Sequence, residues 1–291
     1  MLLEVENLHI AFRQDGRRSE PVRGVTFSIG EGEAVALVGE SGSGKSLTAL
    51  ALGGLVNGAE ISGMIRGKPR IAYIFQNPME ALNPVIKVGR QIAEAAVKGD
   101  EVVAELLEGV GLPAGTAEKY PCQLSGGQCQ RVMIAMALAR EPELLIADEP
   151  TTALDVTTQR EVLDLIAEVA SAAEKIPPPL PKMALLLITH NLALAAKYSQ
   201  RVNVMYAGRI VESGETAAVL SSPHHPYTKG LIAAVPRLEA PKGTPLADIP
   251  GTVPPAWAWP TGCAFHPRCP VARTECSASS FTVCPETGAP C

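Results

Sequence analysis

No stretch of this 291-residue chain approaches the ~20 consecutive apolar residues that a bilayer-spanning helix needs. The longest apolar runs, Val132 to Ala139 and Met183 to Ile188, have the lengths of core helices or strands. The N-terminus lacks a basic segment and carries Glu4, so no signal peptide is read there. The expectation is a soluble, intracellular protein whose membrane role, if any, comes through a partner. Positive charge is not in excess: 25 Lys and Arg stand against 30 Asp and Glu, a net charge of −5. That balance argues against broad electrostatic binding of nucleic acid. Cysteine is nearly absent from most of the chain, with only Cys122 and Cys129 before residue 263. The other five, Cys263, Cys269, Cys276, Cys284 and Cys291, crowd the C-terminus. In a reducing compartment such a terminal cluster points to metal before disulfides. There is no internal repeat.

Apolar alternation predicts strands over residues 2–10 and 22–29, with the intervening RQDGRRSEP as a turn or loop. Short apolar runs predict buried strands at 33–38, 70–75, 144–147 and 184–188, and two strands flank the turn Ala207-Gly208. Helical spacing is expected at 45–55, 89–97, 100–109, 127–139, 157–173 and 191–198. Strands alternating with helices imply an α/β core with a mainly parallel sheet, interrupted by a helical insertion at about 77–140. The IPPPLP stretch at 176–181 excludes helix and central strand, and a surface loop is the default. Beyond residue 235, prolines and the lack of periodicity predict a linker and a separate C-terminal extension, 236–291.

Gly39-Glu-Ser-Gly-Ser-Gly-Lys-Ser46 follows a predicted strand and opens a predicted helix, the setting of a phosphate-binding loop. Gly39, Ser41, Gly42, Ser43, Gly44, Lys45, Ser46 and Leu47 are its candidate nucleotide contacts. The glycines let backbone N–H groups turn toward phosphate oxygens, and the helix adds its positive end. Lys45 suits the β- and γ-phosphates and Ser46 a Mg²⁺ ion. Leu144 to Asp148-Glu149 is a buried strand ending in two carboxylates. Asp148 is the candidate Mg²⁺ ligand, and Glu149 the candidate base that polarises the attacking water. Leu124-Ser-Gly-Gly-Gln128 places Ser125, Gly126, Gly127 and Gln128 at a helix start, a second anion site.

Together these segments resemble the nucleotide-binding subunit of ABC transporters. The resemblance implies an ABC-type P-loop ATPase core, an antiparallel N-terminal β subdomain and a helical subdomain within residues 1–235. It makes Gln76 the Q-loop glutamine beside Mg²⁺ and the attacking water, and His190 the switch histidine on the γ-phosphate. It places Asp155, in Ala153-Leu154-Asp155, in the loop that communicates across a dimer, and makes Phe12 the aromatic on adenine. It further implies a head-to-tail pair in which the LSGGQ of one subunit closes over ATP held by its partner.

The segments Asn77 to Pro84, His225-Pro-Tyr-Thr228 and Gly262-Cys-Ala-Phe-His-Pro-Arg-Cys-Pro270 are similar to the oligopeptide, dipeptide and nickel importer group. That resemblance implies two transmembrane permease subunits, an extracytoplasmic solute-binding protein and a second ATPase, a related chain or another copy. No nucleic acid is expected, and the place of work is the cytoplasmic face of the inner membrane. The irregular Cys-rich extension then implies a [4Fe–4S] cluster or zinc on Cys263, Cys269 and Cys276, with Cys291 ahead of Cys284 as fourth ligand. Peptide is the leading cargo. A nickel or metal-chelate importer, and a soluble ABC ATPase with a metal-sensing tail, are the alternatives. Gln123 stands before LSGGQ where relatives often carry Glu, which touches coupling to the membrane partner.

Overall fold

The computed structural model describes residues 1–14, 16–151, 155–171, 182–235 and 248–278. Its elements are β1 (Leu3–Gln14), β2 (Arg17–Ile29), β3 (Ala34–Val38), α1 (Lys45–Leu52), β4 (Glu60–Arg66), β5 (Ile71–Ile74), α2 (Pro78–Ala81), α3 (Val88–Ala95), α4 (Val103–Gly109), α5 (Gly126–Leu138), β6 (Leu144–Asp148), α6 (Val156–Ser171), β7 (Ala184–Thr189), α7 (Leu192–Tyr198), β8 (Arg201–Tyr206), β9 (Arg209–Glu215), α8 (Thr216–Ser221) and α9 (Pro226–Ala233). They fall into two compact units. One holds Lys68–Leu187 with the short stretches Met1–Leu2 and Ile29–Ala34. The other holds Leu3–Ser28, Val35–Gly67 and Ile188–Cys291.

In the first unit, strands lie in the order β5-β6-β7, and β5 runs parallel to β6. Leu144 to Ala147 and Ala184 to Leu187 are all buried, which is why these strands read as unbroken apolar runs rather than alternations. Val132, Ile134, Ala135 and Leu138 of α5, with Val162, Ile166 and Val169 of α6, supply buried helix faces. The helical insertion is built from α2 to α5. Its 100–109 helix begins as a 3-10 turn over Gly99–Val102 before becoming α4.

The second unit carries two sheets. One has the order β2-β1-β4, with β4 antiparallel to β1. The other has β3 parallel to β8, and β8 antiparallel to β9. The β8–β9 turn at Ala207 and Gly208 has positive φ at both residues, 48° and 82°, as a two-residue hairpin of the right twist requires. The antiparallel N-terminal sheet and the parallel strand pairs agree with the expected α/β architecture.

One expectation is refined, and some elements had none. RQDGRRSEP, expected as a turn or loop, is mostly strand, because β1 extends to Gln14 and β2 starts at Arg17. The hairpin's outer end is exposed and held by ion pairs such as Arg13–Glu60 (2.7 Å) and Arg18–Glu20 (2.8 Å), so no apolar alternation marks it. Strand β4 escaped the sequence for the same reason: six of its seven residues are exposed. Helices α8 and α9 also had no expectation; each is short. The 176–181 insertion and Ala153 and Leu154 lie outside the described residues, as do Cys284 and Cys291. Among the described residues no helix is long and apolar enough to cross a membrane.

Candidate functional site

The phosphate loop lies in the second unit, between the buried strand β3 and helix α1. Its conformation depends on glycine. Gly44 caps α1 at φ +100°, and a Cβ there would sit 2.6 Å from the Pro21 carbonyl oxygen. A Cβ on Gly39 would strike the Met205 carbonyl. Gly42, at φ +80°, faces open space. Ser41, Gly42 and Ser46 are exposed, whereas Lys45 and Ser43 are buried. Lys45 folds back into its own loop, its Nζ donating to the carbonyls of Gly39 (2.8 Å) and Glu40 (2.9 Å) and to Ser43 Oγ (3.4 Å). The loop thus presents a preformed anion cradle at a helix start, with an ammonium group held within it. Leu47 is half-buried on α1, and Phe12 is half-buried near the outer end of β1. His190 follows β7 and is exposed; the next residue, Asn191, caps α7 by accepting from the Ala193 N–H at 2.9 Å.

The first unit holds the carboxylates. Strand β6 is buried through Ala147, and its last residue Asp148 is half-exposed. Glu149 follows at φ 43°, a left-handed conformation that is unfavourable for a residue with a Cβ and recurs at functional sites. Gln76, two residues beyond β5, donates from Nε2 to Glu149 Oε2 at 3.4 Å. The parallel pairing of β5 and β6 (Ile74 opposite Ala147) brings these two side chains together from residues 73 positions apart.

LSGGQ opens α5 in the same unit. Ser125 Oγ accepts from the Gln128 N–H (3.3 Å), and Gln128 Oε1 accepts from the Ser125 N–H (3.0 Å), a reciprocal capping box. Gly126 and Gly127 form the first turn, and a Cβ on Gly127 would come within 2.6 Å of Thr158 Cγ2. Asp155 caps α6: its carboxylate accepts from the N–H groups of Thr157 and Thr158 (both 3.1 Å) and from Thr158 Oγ1 (2.7 Å). The Thr158 hydroxyl, then its N–H, lowers the Asp155 pKa. Gln123 accepts from the Tyr120 N–H at 2.8 Å within a 3-10 turn.

The described C-terminal residues pack into the second unit. Phe265 is buried between Tyr206 and Tyr227, with ring centroids 5.2 and 5.4 Å away. Trp259 Nε1 donates to the Glu20 carbonyl (2.9 Å), and the Glu20 N–H donates to the Ala256 carbonyl (3.2 Å). Of the expected metal set, only Cys263, Cys269 and Cys276 lie among the described residues. Cys263 and Cys276 are buried in the apolar cluster around Phe265, Tyr206 and Tyr227, with Cys269 packed against it. The Cys263 N–H donates to the Cys276 carbonyl at 2.9 Å. Among the described residues no three His, Cys, Asp or Glu side chains are placed to hold a metal ion. Cys284 and Cys291, the candidates for the fourth ligand, lie outside the described residues, and neither a [4Fe–4S] cluster nor zinc finds support among those described.

Sequence reading missed Glu40, Tyr227 and Arg268, which the structure joins to the phosphate loop. The Glu40 N–H donates to Tyr227 Oη at 2.8 Å, and Arg268 Nη1 donates to both Glu40 carboxylate oxygens, at 3.0 and 3.2 Å. No local pattern signals a contact between residues so far apart in the chain.

The ABC transporter family model matches residues 22–152. A second model, the oligopeptide/dipeptide transporter C-terminal region, matches residues 211–276. The dipeptide transport ATP-binding protein DppD of Escherichia coli K12 is 41% identical over 95% of this chain and 91% of its own length. The chain belongs to the ATP-binding proteins of the oligopeptide/dipeptide ABC transporter family. It is an ABC-type ATPase. The oligopeptide transport ATP-binding protein OppD of Mycobacterium tuberculosis is 43% identical over 94% of this ATPase, which spans only 48% of that longer relative. Among solved structures, cbiO1 of Clostridium perfringens, part of the ABC transporter complex cbiONQ, aligns with a TM-score of 0.63. It is 26% identical, over 76% of this ATPase and 91% of the other chain.

Proposed function

We propose that this ATPase powers the import of dipeptides or oligopeptides. The observation that carries this reading is the match of the C-terminal region, residues 211–276, to the oligopeptide/dipeptide transporter model. A generic ABC cassette match would leave the cargo open; this region, together with near-full-length similarity to DppD, favours peptide over nickel or a metal chelate. The partners are two transmembrane permease subunits, a second ATPase, related or identical, and an extracytoplasmic solute-binding protein. The chain then works at the cytoplasmic face of the membrane, held there by the permeases.

In this reading the backbone of Gly39 to Ser46 binds the phosphates of ATP. Lys45 exchanges its loop carbonyls for β- and γ-phosphate oxygens. Ser46, Asp148 and Gln76 are the side chains that would hold Mg²⁺, which supplies charge neutralisation on the phosphates when bound. Glu149 takes the proton of the attacking water, and Gln76, already bonded to its carboxylate, orients it. His190 contacts the γ-phosphate, Phe12 the adenine. Ser125, Gly126, Gly127 and Gln128 close over nucleotide held by the second ATPase. Asp155 lies in the segment that answers to that partner. Loss of the γ-phosphate removes the bridge between the two ATPases, and the resulting opening is what the permeases use.

The test is reconstitution with the permease subunits in proteoliposomes, with ATP inside. Uptake of a labelled dipeptide that needs the cognate binding protein supports the reading. Uptake of Ni²⁺ or a nickel chelate instead, with no peptide uptake, would overturn the cargo assignment and leave the ATPase standing.

A further inference from the structure

Arg268 is the most heavily bonded side chain of the described C-terminal region. Its side chain is 6% exposed. Nε donates to the Pro250 carbonyl (2.8 Å), and Nη2 to the carbonyls of Ile249 (3.1 Å) and Gly251 (3.3 Å). Three consecutive carbonyls therefore fix the guanidinium from its own side of the extension. Nη1 points the other way, to both oxygens of Glu40 and to Tyr206 Oη at 3.4 Å. Burial works against the charge, but the Tyr206 hydroxyl and the Glu40 carboxylate outweigh it and raise the Arg268 pKa.

Glu40 is the second residue of the phosphate loop, and its backbone is also fully engaged. Its N–H donates to Tyr227, and its carbonyl accepts from Lys45 Nζ and from the Ser43 N–H (3.2 Å). Tyr227 is fully buried against Phe265 of the extension. The loop that receives the triphosphate is thus braced by the C-terminal region at a side chain, through Arg268, and at a backbone group, through Tyr227. The charge matters as much as the brace. An unpaired carboxylate on this loop repels the phosphates the loop must bind, and Arg268 cancels it.

We propose that Arg268 is a positioning and charge-neutralising residue for ATP binding, through which the C-terminal extension sets the affinity of the phosphate loop. This rests on the phosphate-loop reading above. A minimal cassette lacking the extension has no such arginine, so displacement of the extension would be transmitted to the loop as one uncompensated negative charge.

The experiment measures binding of mant-ATP with Mg²⁺ to the full chain, at low salt and at high salt, together with KM and kcat for ATP. Arg268→Gln is expected to raise the Kd about fivefold at low salt and less at high salt, with kcat at saturation little changed. Arg268→Lys, which restores the charge, is expected to return affinity to within about twofold of wild type. Arg268→Gln combined with Glu40→Gln is expected to recover affinity, because the repelling carboxylate is gone. Wild-type affinity in Arg268→Gln overturns the proposal. So does an equal loss in the single, lysine and double variants, which would mean that docking alone carries the effect. If Arg268→Gln does not fold, Glu40→Gln alone decides. It leaves Arg268 as an uncompensated positive charge beside the loop and should bind mant-ATP more tightly than wild type; weaker binding overturns the proposal. A wild-type chain that binds no mant-ATP would sink the phosphate-loop reading itself, a result distinct from all of these.

Discussion

Acid should weaken the second unit through one imidazole. His225 is buried at the start of α9, where its Nδ1 accepts from the Tyr227 N–H at 3.1 Å. Protonation would turn this acceptor into a donor and break the cap. Burial pushes the His225 pKa down to about 4, and the nearby Glu212 carboxylate only partly opposes this. The groups facing the ring are Glu212, which accepts from the His225 N–H (3.0 Å), and the Phe265 ring at 5.9 Å; exposed His224 shares Glu212. Above pH 6.5 the imidazole is neutral in both folded and unfolded chains and has no effect on stability. As pH falls from 6.5 toward 4, the unfolded chain takes up a proton that the folded one refuses, so stability drops. The gap from 6.5 to about 4, at about 1.4 kcal/mol per pH unit, gives a loss of about 3 kcal/mol. Urea unfolding at several pH values in this window, for wild type and His225→Asn, measures it. Asparagine keeps a cap acceptor but does not titrate. The variant should lose less stability toward low pH, and the ring's own NMR titration in the wild type should lie near 4. Parallel pH profiles, or a titration near 6.5, would refute the argument.

Other outcomes are equally open to measurement. Glu149→Gln should keep ATP binding and lose turnover in the assembled transporter; hydrolysis at the wild-type rate would remove Glu149 as the base. Lys45→Ala should weaken ATP affinity itself, seen by equilibrium binding, since Lys45 is the ammonium held inside the loop. Gly44→Ala should destabilise the fold by roughly 2 kcal/mol in urea, because φ is +100° and the new methyl meets the Pro21 carbonyl at 2.6 Å. Ser125→Ala should lower stability by about 1 kcal/mol through loss of the α5 cap, with Ser125→Asn restoring most of it.

The sequence by itself determined those parts whose physics is local. A glycine-rich loop between a buried strand and a helix, a strand ending in two carboxylates and a Ser-Gly-Gly-Gln helix start each depend on neighbours within a few residues. The buried strands β6 and β7 were legible because unbroken apolar runs of that length have few other uses. Strand β4 and the outer β1–β2 hairpin were not, since exposed strands carry no apolar alternation. The Gln76–Glu149 contact could be expected only from family resemblance, and the pairing of β5 with β6 makes it. Tertiary structure alone decided where the described C-terminal residues pack. The cysteines suggested metal; among the described residues Cys263 and Cys276 lie in the apolar cluster that holds Phe265, and no metal group is placed there. Arg268 sits in the His-Pro-Arg-Cys stretch that carries the family resemblance, but nothing local distinguishes its side chain from a solvated arginine. Its importance comes from reaching, across 228 positions, a glutamate in the phosphate loop. Such a contact is set by how two distant segments pack against the Tyr206 and Tyr227 rings, a nonlocal arrangement that no short-range pattern encodes.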